Sequence, residues 1–389
     1  MDLIEIEKYI RDLQTNEENF KNQSLISSPE TTIGNETGLG YLFRSAIFVI
    51  QSVGDYLLLI FLLKFQKTSH KNKRIVFTAK NFCTETGGCL EDRVVRPLFT
   101  ENIIFINQSK VIRLNKINDQ KVYNLGGLVK LISRLRYKKQ SSLMRLFCAY
   151  RSVNDSIIRL VYGMELYMLW FYDLNSLALA FSKHRENIRL IEVQHGSIIN
   201  YPPYIEPAPV RIADVFYVKN SATVEFLSNH LCLNHNSEYR LMPYPESQKK
   251  YLPGLHILYA STVEFNGFHP VFKEFLKKNS YKELHLIVRL HPREREKETM
   301  FSDELSACGI NYEFDHSKNW LEGNGIKNLI VISPWSSTLE DAYDNGYLAI
   351  TVDVVGKERF KHLIDNTRFY YSDDLSYTLQ CIQAKKIKE

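Results

Sequence analysis

The sequence predicts an α/β protein of two domains built on parallel sheets, the second Rossmann-like, and three observations carry that expectation. At 389 residues the chain exceeds what one hydrophobic core comfortably fills, since single cores stop growing at about 250 to 300 residues. Short apolar runs such as "LHILYAS", "LHLIVRL" and "NLIVIS" read as strands buried on both faces, as parallel sheets require. Helical patterns, "HPVFKEFLKKN", "FSDELSACG" and "STLEDAYDNG", alternate with them, which is the grammar of βα units.

Taken in order, residues 1 to about 70 read as helical, with a first strand in "RIVFTAKNF" and further strands in "NIIFIN" and "KVIRL". The basic segment Lys130 to Arg151 reads as a helix. Ser156 to His184 reads as one long apolar helix leading into the strand "IRLIEV". The polar stretch Ser237 to Gly254 holds three of the twelve prolines and reads as a linker. The expected domains are therefore residues 1–240, with a helical N-terminus, and residues 241–389, a Rossmann-like unit.

Composition excludes several classes. Hydrophobic content of 44% with 24% charged residues is that of an ordinary globular chain. The six cysteines include no C-x-x-C pair, which fits reduced thiols in a cytoplasm rather than a disulfide frame or a zinc site. The N-terminus "MDLIEIEKYIRDL" carries acids where a secretory signal needs a basic region. The longest apolar run, Tyr56 to Leu63, is shorter than the roughly 20 residues that cross a bilayer, so no span is expected.

The net charge of +5 is unevenly spread, with seven Lys or Arg and no acid between Lys130 and Arg151. Cations interleaved with leucines suit an anionic membrane surface, and equally suit a solvated helix covering its own domain. No nucleic-acid motif accompanies the patch, so nucleic acid is not an expected partner.

In open parallel sheets, ligands sit beyond the carboxyl ends of the strands, and three strand ends are chemically unusual. In "VRLHPRE" a strand runs into His291 and Pro292, with Arg289, Arg293 and Arg295 beside them; proline ends the strand and the cationic setting suits phosphate. In "LIVISPWSSTLEDAYDNG" the residues Ser336, Ser337 and Thr338 open a helix. Free backbone N–H groups and hydroxyls there would hold an anion. Ser337 and Glu340 have capping-box spacing, and Glu340 or Asp341 could instead bind ribose hydroxyls.

In "LIEVQHGSIINYPPY" the strand delivers Gln194 and His195 to a turn at Gly196, and Tyr201 and Tyr204 would form a semi-rigid wall. Histidine ordinarily titrates near neutrality, so His195 could serve as a general base on a sugar hydroxyl.

The order H-G (His195-Gly196), R-x-H-P (Arg289 to Pro292) and a serine pair opening a helix (Ser336-Ser337) resembles bacterial GT-B glycosyltransferases of surface-polysaccharide synthesis. It looks most like the groups with cytidine-activated donors: sialyl- and polysialyltransferases, capsule Kdo transferases and CDP-glycerol polymerases. The resemblance implies a GT-B-like fold, with two Rossmann-like domains facing a central cleft, and transfer of a sialic-acid-type or Kdo-type sugar, or a glycerol-phosphate-like unit. Capsule, lipopolysaccharide or another lipid-linked glycan would be the acceptor.

The resemblance also implies roles: His291 at the donor phosphate, Ser336 and Ser337 in the same phosphate region, His195 as base. Two departures stand out: Glu91-Asp92 is followed by Arg93 where sialyltransferases have glycine, and Pro334-Trp335 stands where CDP-glycerol enzymes have aspartate and tyrosine.

No D-x-D occurs in the chain, so metal-independent transfer is expected, with no cofactor and with phosphate neutralised by histidine, arginine and helix ends. The expected location is the cytoplasm, peripheral on the inner membrane face through Lys130–Arg151. A UDP-sugar-dependent transferase or epimerase on the same architecture, and a non-catalytic nucleotide-sugar-binding subunit of a polysaccharide assembly complex, are the alternatives.

Overall fold

The computed structural model describes residues 2–22, 39–65, 74–78, 83–86, 89–92, 98, 102–109, 113–169, 171–194, 196, 198–242, 250–265, 267–278, 284–317, 320 and 326–386. The chain forms two compact units: Met1–Thr15, Thr31–His195 and Pro203–Pro243 make the first, and Asn16–Glu30, Gly196–Pro202 and Tyr244–Glu389 make the second.

The first unit opens with the helices Leu3–Asn22 and Leu39–Phe65. Its strands are β1 Arg74–Thr78, β2 Cys83–Thr86, β3 Cys89–Asp92, β4 Ile103–Asn107, β5 Lys116–Ile117, β6 Gln120–Asn124, β7 Met164–Met168, β8 Ile188–Val193, β9 Val215–Val218 and β10 Glu238–Leu241. Eight of them form a sheet in the order β10-β9-β8-β7-β1-β4-β6-β5, parallel except for the β5–β6 pair; β2 and β3 form a separate antiparallel pair.

Several sequence expectations for this unit need correction. The run Ser156–His184 is not one helix. The helix Ser142–Ile158 ends, Gly163 takes φ +76, and Met164–Met168 continues as a strand paired on both sides. A fully buried strand and a buried helix carry the same apolar composition, and the glycine in left-handed geometry is what separates them here.

The basic segment is likewise two helices, Gly126–Leu135 and Ser142–Ile158, the second capped by the Ser141 hydroxyl, which accepts from Met144 N–H. Of "KVIRL", residues 110–112 lie outside the described residues; β5 and β6 follow it in the chain. The supposed linker contains β10, which pairs in parallel with β9.

The second unit contains β11 Leu255–Ala260, β12 Leu284–Arg289, β13 Asn311–Phe314, β14 Leu329–Ser333, β15 Leu348–Thr351 and β16 Phe369–Tyr371. All are parallel, in the order β13-β12-β11-β14-β15-β16. This is the doubly wound arrangement, and the order reverses between β11 and β14.

Alternate residues of one strand go to opposite cores. Ile257, Tyr259, Ile330 and Ile332 pack with Phe272, Phe301 and Leu379 on one face, while Leu258, Ala260, Leu329 and Val331 pack with Leu339 and Phe360 on the other. Both faces being covered explains why these strands read as unbroken apolar runs. Two units built on largely parallel sheets thus bear out the expected α/β class and its two parallel-sheet domains.

Candidate functional site

The strand-order reversal in the second unit puts the ends of β11, β12 and β14 side by side on one sheet edge, where doubly wound folds bind ligands. The turn after β14 is fixed from both neighbours. The Ser333 hydroxyl donates to Ala260 O at 2.7 Å and accepts from Ser336 N–H at 3.1 Å, and the Thr351 hydroxyl donates to Pro334 O at 2.5 Å. Gly356 completes the clamp: a Cβ there would lie 2.0 Å from Pro334 O and 2.0 Å from Thr351 Oγ1, so only glycine lets the backbones approach.

Within that turn the cap differs from the sequence expectation. Ser337 already has helical dihedrals, φ −60 and ψ −12, and its side chain makes no cap hydrogen bond. A capping serine needs extended geometry, so the capping box does not form. Ser336 takes the role, its Oγ accepting from Thr338 N–H at 3.3 Å and pairing with Thr338 Oγ1 at 3.0 Å. Glu340 is fully buried, so it does not stand at the surface to receive a ribose.

His291 ends the loop after β12 with φ −56 and ψ 140, and its Nδ1 accepts from Arg293 N–H at 3.2 Å. A ring nitrogen that accepts must carry a lone pair, which puts the proton of the neutral ring on Nε2. The His291 backbone N–H donates to Ser261 Oγ at 2.7 Å, and that hydroxyl donates in turn to Glu294 Oε2 at 2.6 Å. Burial pushes the Glu294 carboxyl up to about 7, against the Ser261 hydrogen bond and the Lys297 charge, which pull it down, and with Glu264 adding to the rise.

Arg289 does not contribute an open cation here. Its guanidinium is paired with Asp315 at 2.6 Å and donates to Ser317 O at 3.1 Å, so β13 and its following loop neutralise it. The exposed cation of this loop is Arg293, next to the Pro292 that opens the turn.

Sequence reasoning missed Ser261 and Glu294, which hold the His291 turn. It also missed His269, which opens the helix Pro270–Lys277. The buried His269 Nε2 lies 3.3 Å from Asp353 Oδ2. A signal for it was present, because His269-Pro270 and His291-Pro292 are the chain's two H-P dipeptides.

The third strand end divides between the units. His195 lies outside the described residues. Gln194 is buried, with its Oε1 accepting from Lys219 N–H at 2.7 Å and its own N–H bonded to Tyr217 O; it ties β8 to β9 rather than facing a ligand.

Tyr204 is not part of an aromatic wall. It is 1% exposed, donates to Glu192 Oε1 at 2.6 Å and packs edge-on against Phe171. Glu192, buried in β8, is pushed by burial up to about 7; an acid inside the apolar run "RLIEV" was the available sign.

Gly196 and Tyr201 belong to the second unit. The Arg359 guanidinium lies over the Tyr201 ring at 5.3 Å, and Asn200 Nδ2 donates to Arg359 O at 3.4 Å.

No protein-family model matches the chain, and no curated protein does either. Solved structures similar to it include the apo form of the lipopolysaccharide outer core galactosyltransferase WaaB, at 12% identity over 80% of this chain and 91% of that one, with TM-score 0.45. An S. aureus MnaA–UDP structure shares 13% identity over 81% and 87%, TM-score 0.46. A UDP-GlcNAc 2-epimerase from Neisseria meningitidis bound to UDP-GlcNAc shares 13% over 80% and 90%, TM-score 0.43. These likenesses carry no residue role over to this chain.

Proposed function

We propose that the chain is a glycosyltransferase whose second unit holds a nucleotide-activated sugar donor and whose first unit receives a glycan or lipid-linked acceptor. The observation that carries this reading is the 3-2-1-4-5-6 strand order of the second unit, with the His291 turn and the Ser333–Ser336 turn at the ends of strands beside its reversal point. His291 Nε2–H would donate to a donor phosphate oxygen, and the Ser336 and Ser337 hydroxyls, with the Arg293 charge, would hold the same group.

In the reaction an acceptor hydroxyl oxygen bonds to the anomeric carbon while the bond from that carbon to the phosphate oxygen breaks. The electron pair departs on the phosphate toward His291. The hydroxyl proton passes to His195, whose role as base rests on its sequence position alone. Pro292 and Thr338 fix the turns.

The motif order favours a cytidine nucleotide carrying a sialic-acid-type or Kdo-type sugar, or a glycerol-phosphate-like unit. The acceptor would belong to capsule, lipopolysaccharide or a related cell-envelope glycan. A cytoplasmic protein peripheral on the inner membrane face, held there through Lys130–Arg151, fits that role.

Nucleotide-dependent thermal shift tests the donor, since stabilisation follows ligand concentration over affinity. CMP or CDP should raise the melting temperature and UDP should not; a shift with UDP alone moves the assignment to a uridine donor. Nucleotide release from CMP- and CDP-activated donors in the presence of acceptor tests the enzyme. A folded protein that binds nucleotide and releases none under any donor is the non-catalytic subunit instead.

A further inference from the structure

The helix Leu39–Phe65 carries a 20-residue window, Ala46–Phe65, of mean hydropathy 2.2, of which only 22% is buried. The expectation of no such segment counted the contiguous run Tyr56–Leu63 and overlooked how few charges break the longer helix.

Its two faces differ. Ser52, Asp55, Leu59 and Leu63, three to four residues apart, are buried. Ser52 Oγ accepts from Gly127 N–H, Asp55 Oδ2 accepts from Asn124 N–H, and Tyr56 OH donates to Ser156 Oγ. The opposite face presents Ile50, Leu57, Phe61 and Phe65 at 70%, 61%, 58% and 72% exposure, with Ile47 and Leu58 beside them. Those positions fall on one helical stripe.

A contiguous apolar stripe of this kind marks an interaction surface, and the charges of this helix and of the one packed on it indicate its partner. Asp55, the window's one acid, is buried and paired with Arg113 at 3.4 Å and Lys121 at 3.5 Å. Lys64 is the one charge the window turns outward.

The helix Gly126–Leu135 crosses so closely that a Cβ on Gly127 would lie 2.8 Å from Phe48 O. That helix starts the acid-free basic segment and adds exposed Leu135, Arg134, Arg136, Lys138 and Lys139 around its end. An exposed apolar stripe on one helix and an exposed cationic end on the helix packed against it match the two demands of an anionic bilayer, in which apolar side chains enter the acyl boundary and cations meet the headgroups.

We propose that the exposed stripe of Leu39–Phe65, with the basic end of Gly126–Leu135, docks this protein on the surface of an anionic membrane. The helix lies along the interface rather than across it, because Ser52 and Asp55 bind the water-facing domain through the opposite face and a spanning helix would have to surrender those bonds. The inference deepens the membrane-proximal reading given above and is independent of the nucleotide site.

Co-sedimentation of the full chain with phosphatidylcholine vesicles, with and without phosphatidylglycerol, tests it. Binding should require the anionic lipid. Leu57→Glu with Phe61→Glu should reduce the bound fraction at least about tenfold, while circular dichroism and the urea midpoint stay unchanged, as expected at exposed positions. Arg134→Glu with Lys138→Glu and Lys139→Glu should remove the anionic preference.

Wild-type protein that ignores both vesicle types, a double glutamate variant that binds as wild type, or an unaltered lipid preference after charge reversal would each overturn the proposal. A dimer in solution that the double variant dissolves, without vesicle binding, would assign the stripe to a second copy of the chain. The thermal shift with nucleotides reads the second unit, so its failure would be distinguishable from failure here.

Discussion

Two histidine–proline turns of the second unit, one in the connection after β11 and one directly after β12, have nearly the same backbone and differ in what surrounds the ring. His269 has φ −57 and ψ 141, His291 φ −56 and ψ 140, and in each the N–H two residues on, Val271 or Arg293, donates to Nδ1 at 3.2 Å. Beyond the cap they part. His269 is 4% exposed with Nε2 against Asp353, whereas His291 is half-buried. Sequence builds the turn, and tertiary packing decides how deeply the ring is buried and whether a buried carboxylate such as Asp353 meets its second nitrogen.

The largest effect that would sharpen this contrast is on stability. His269→Ala removes a cap and leaves the Asp353 carboxylate buried without its imidazole partner, which should cost about 3 to 5 kcal/mol, read from urea unfolding. A loss below about 1 kcal/mol would place His269 in the same category as His291 and dissolve the distinction.

Next comes Glu294, which reaches the His291 turn through Ser261 and has no counterpart at His269. Its carboxyl is raised from the usual range to about 7, so the folded state keeps a proton that the unfolded chain has released near pH 4.5. Between those values folding binds a proton. The contribution of Glu294 to stability therefore falls as pH rises through the window, by at most about 3 kcal/mol and by less once solvent screening is counted, and is level outside it. Glu294→Gln should flatten that part of the pH–stability curve; Glu192, also raised to about 7 by burial, supplies the slope that remains. A curve unchanged by Glu294→Gln would sever Glu294 from the comparison.

Ser261→Ala removes at once the donor to Glu294 and the acceptor for His291 N–H. Leaving buried polar groups unpaired should cost about 2 kcal/mol. The melting temperature should fall less for Ser261→Ala than for His269→Ala, and nucleotide binding should weaken as the His291 turn loosens.

The second unit was the more legible half because its strands are covered on both faces and are separated by helices with polar outer sides. The pattern of "LHILYAS", "LHLIVRL" and "NLIVIS" followed directly from burial. Met164–Met168 was misread because a helix and a strand buried on all sides share composition, and a single Gly163 at positive φ decides between them.

At the site, His291, Ser336 and Ser337 were visible as residues following strands. Their supporting partners were not: Ser261 and Glu294 are more than 30 residues apart in sequence and meet only because β11 and β12 pair in register. The engagement of Arg289 by Asp315 has the same origin in the β12–β13 pairing. Adjacency across a sheet is a property of strand order, which no local pattern contains.

His291→Ala is the smallest expected change in stability and the sharpest test of the comparison. The substitution removes an N-cap acceptor at a half-buried site, worth about 1 kcal/mol, while Ser261 and Glu294 keep holding the backbone on which the ring stood. If the ring meets a donor phosphate, the thermal shift given by CMP or CDP should correspond to at least about a tenfold weaker affinity, or roughly 1.4 kcal/mol. His291→Asn, whose side chain can also cap, should restore the unfolding midpoint without restoring that affinity. Equal nucleotide shifts in wild type and His291→Ala would make His291 a second structural cap, no different in kind from His269.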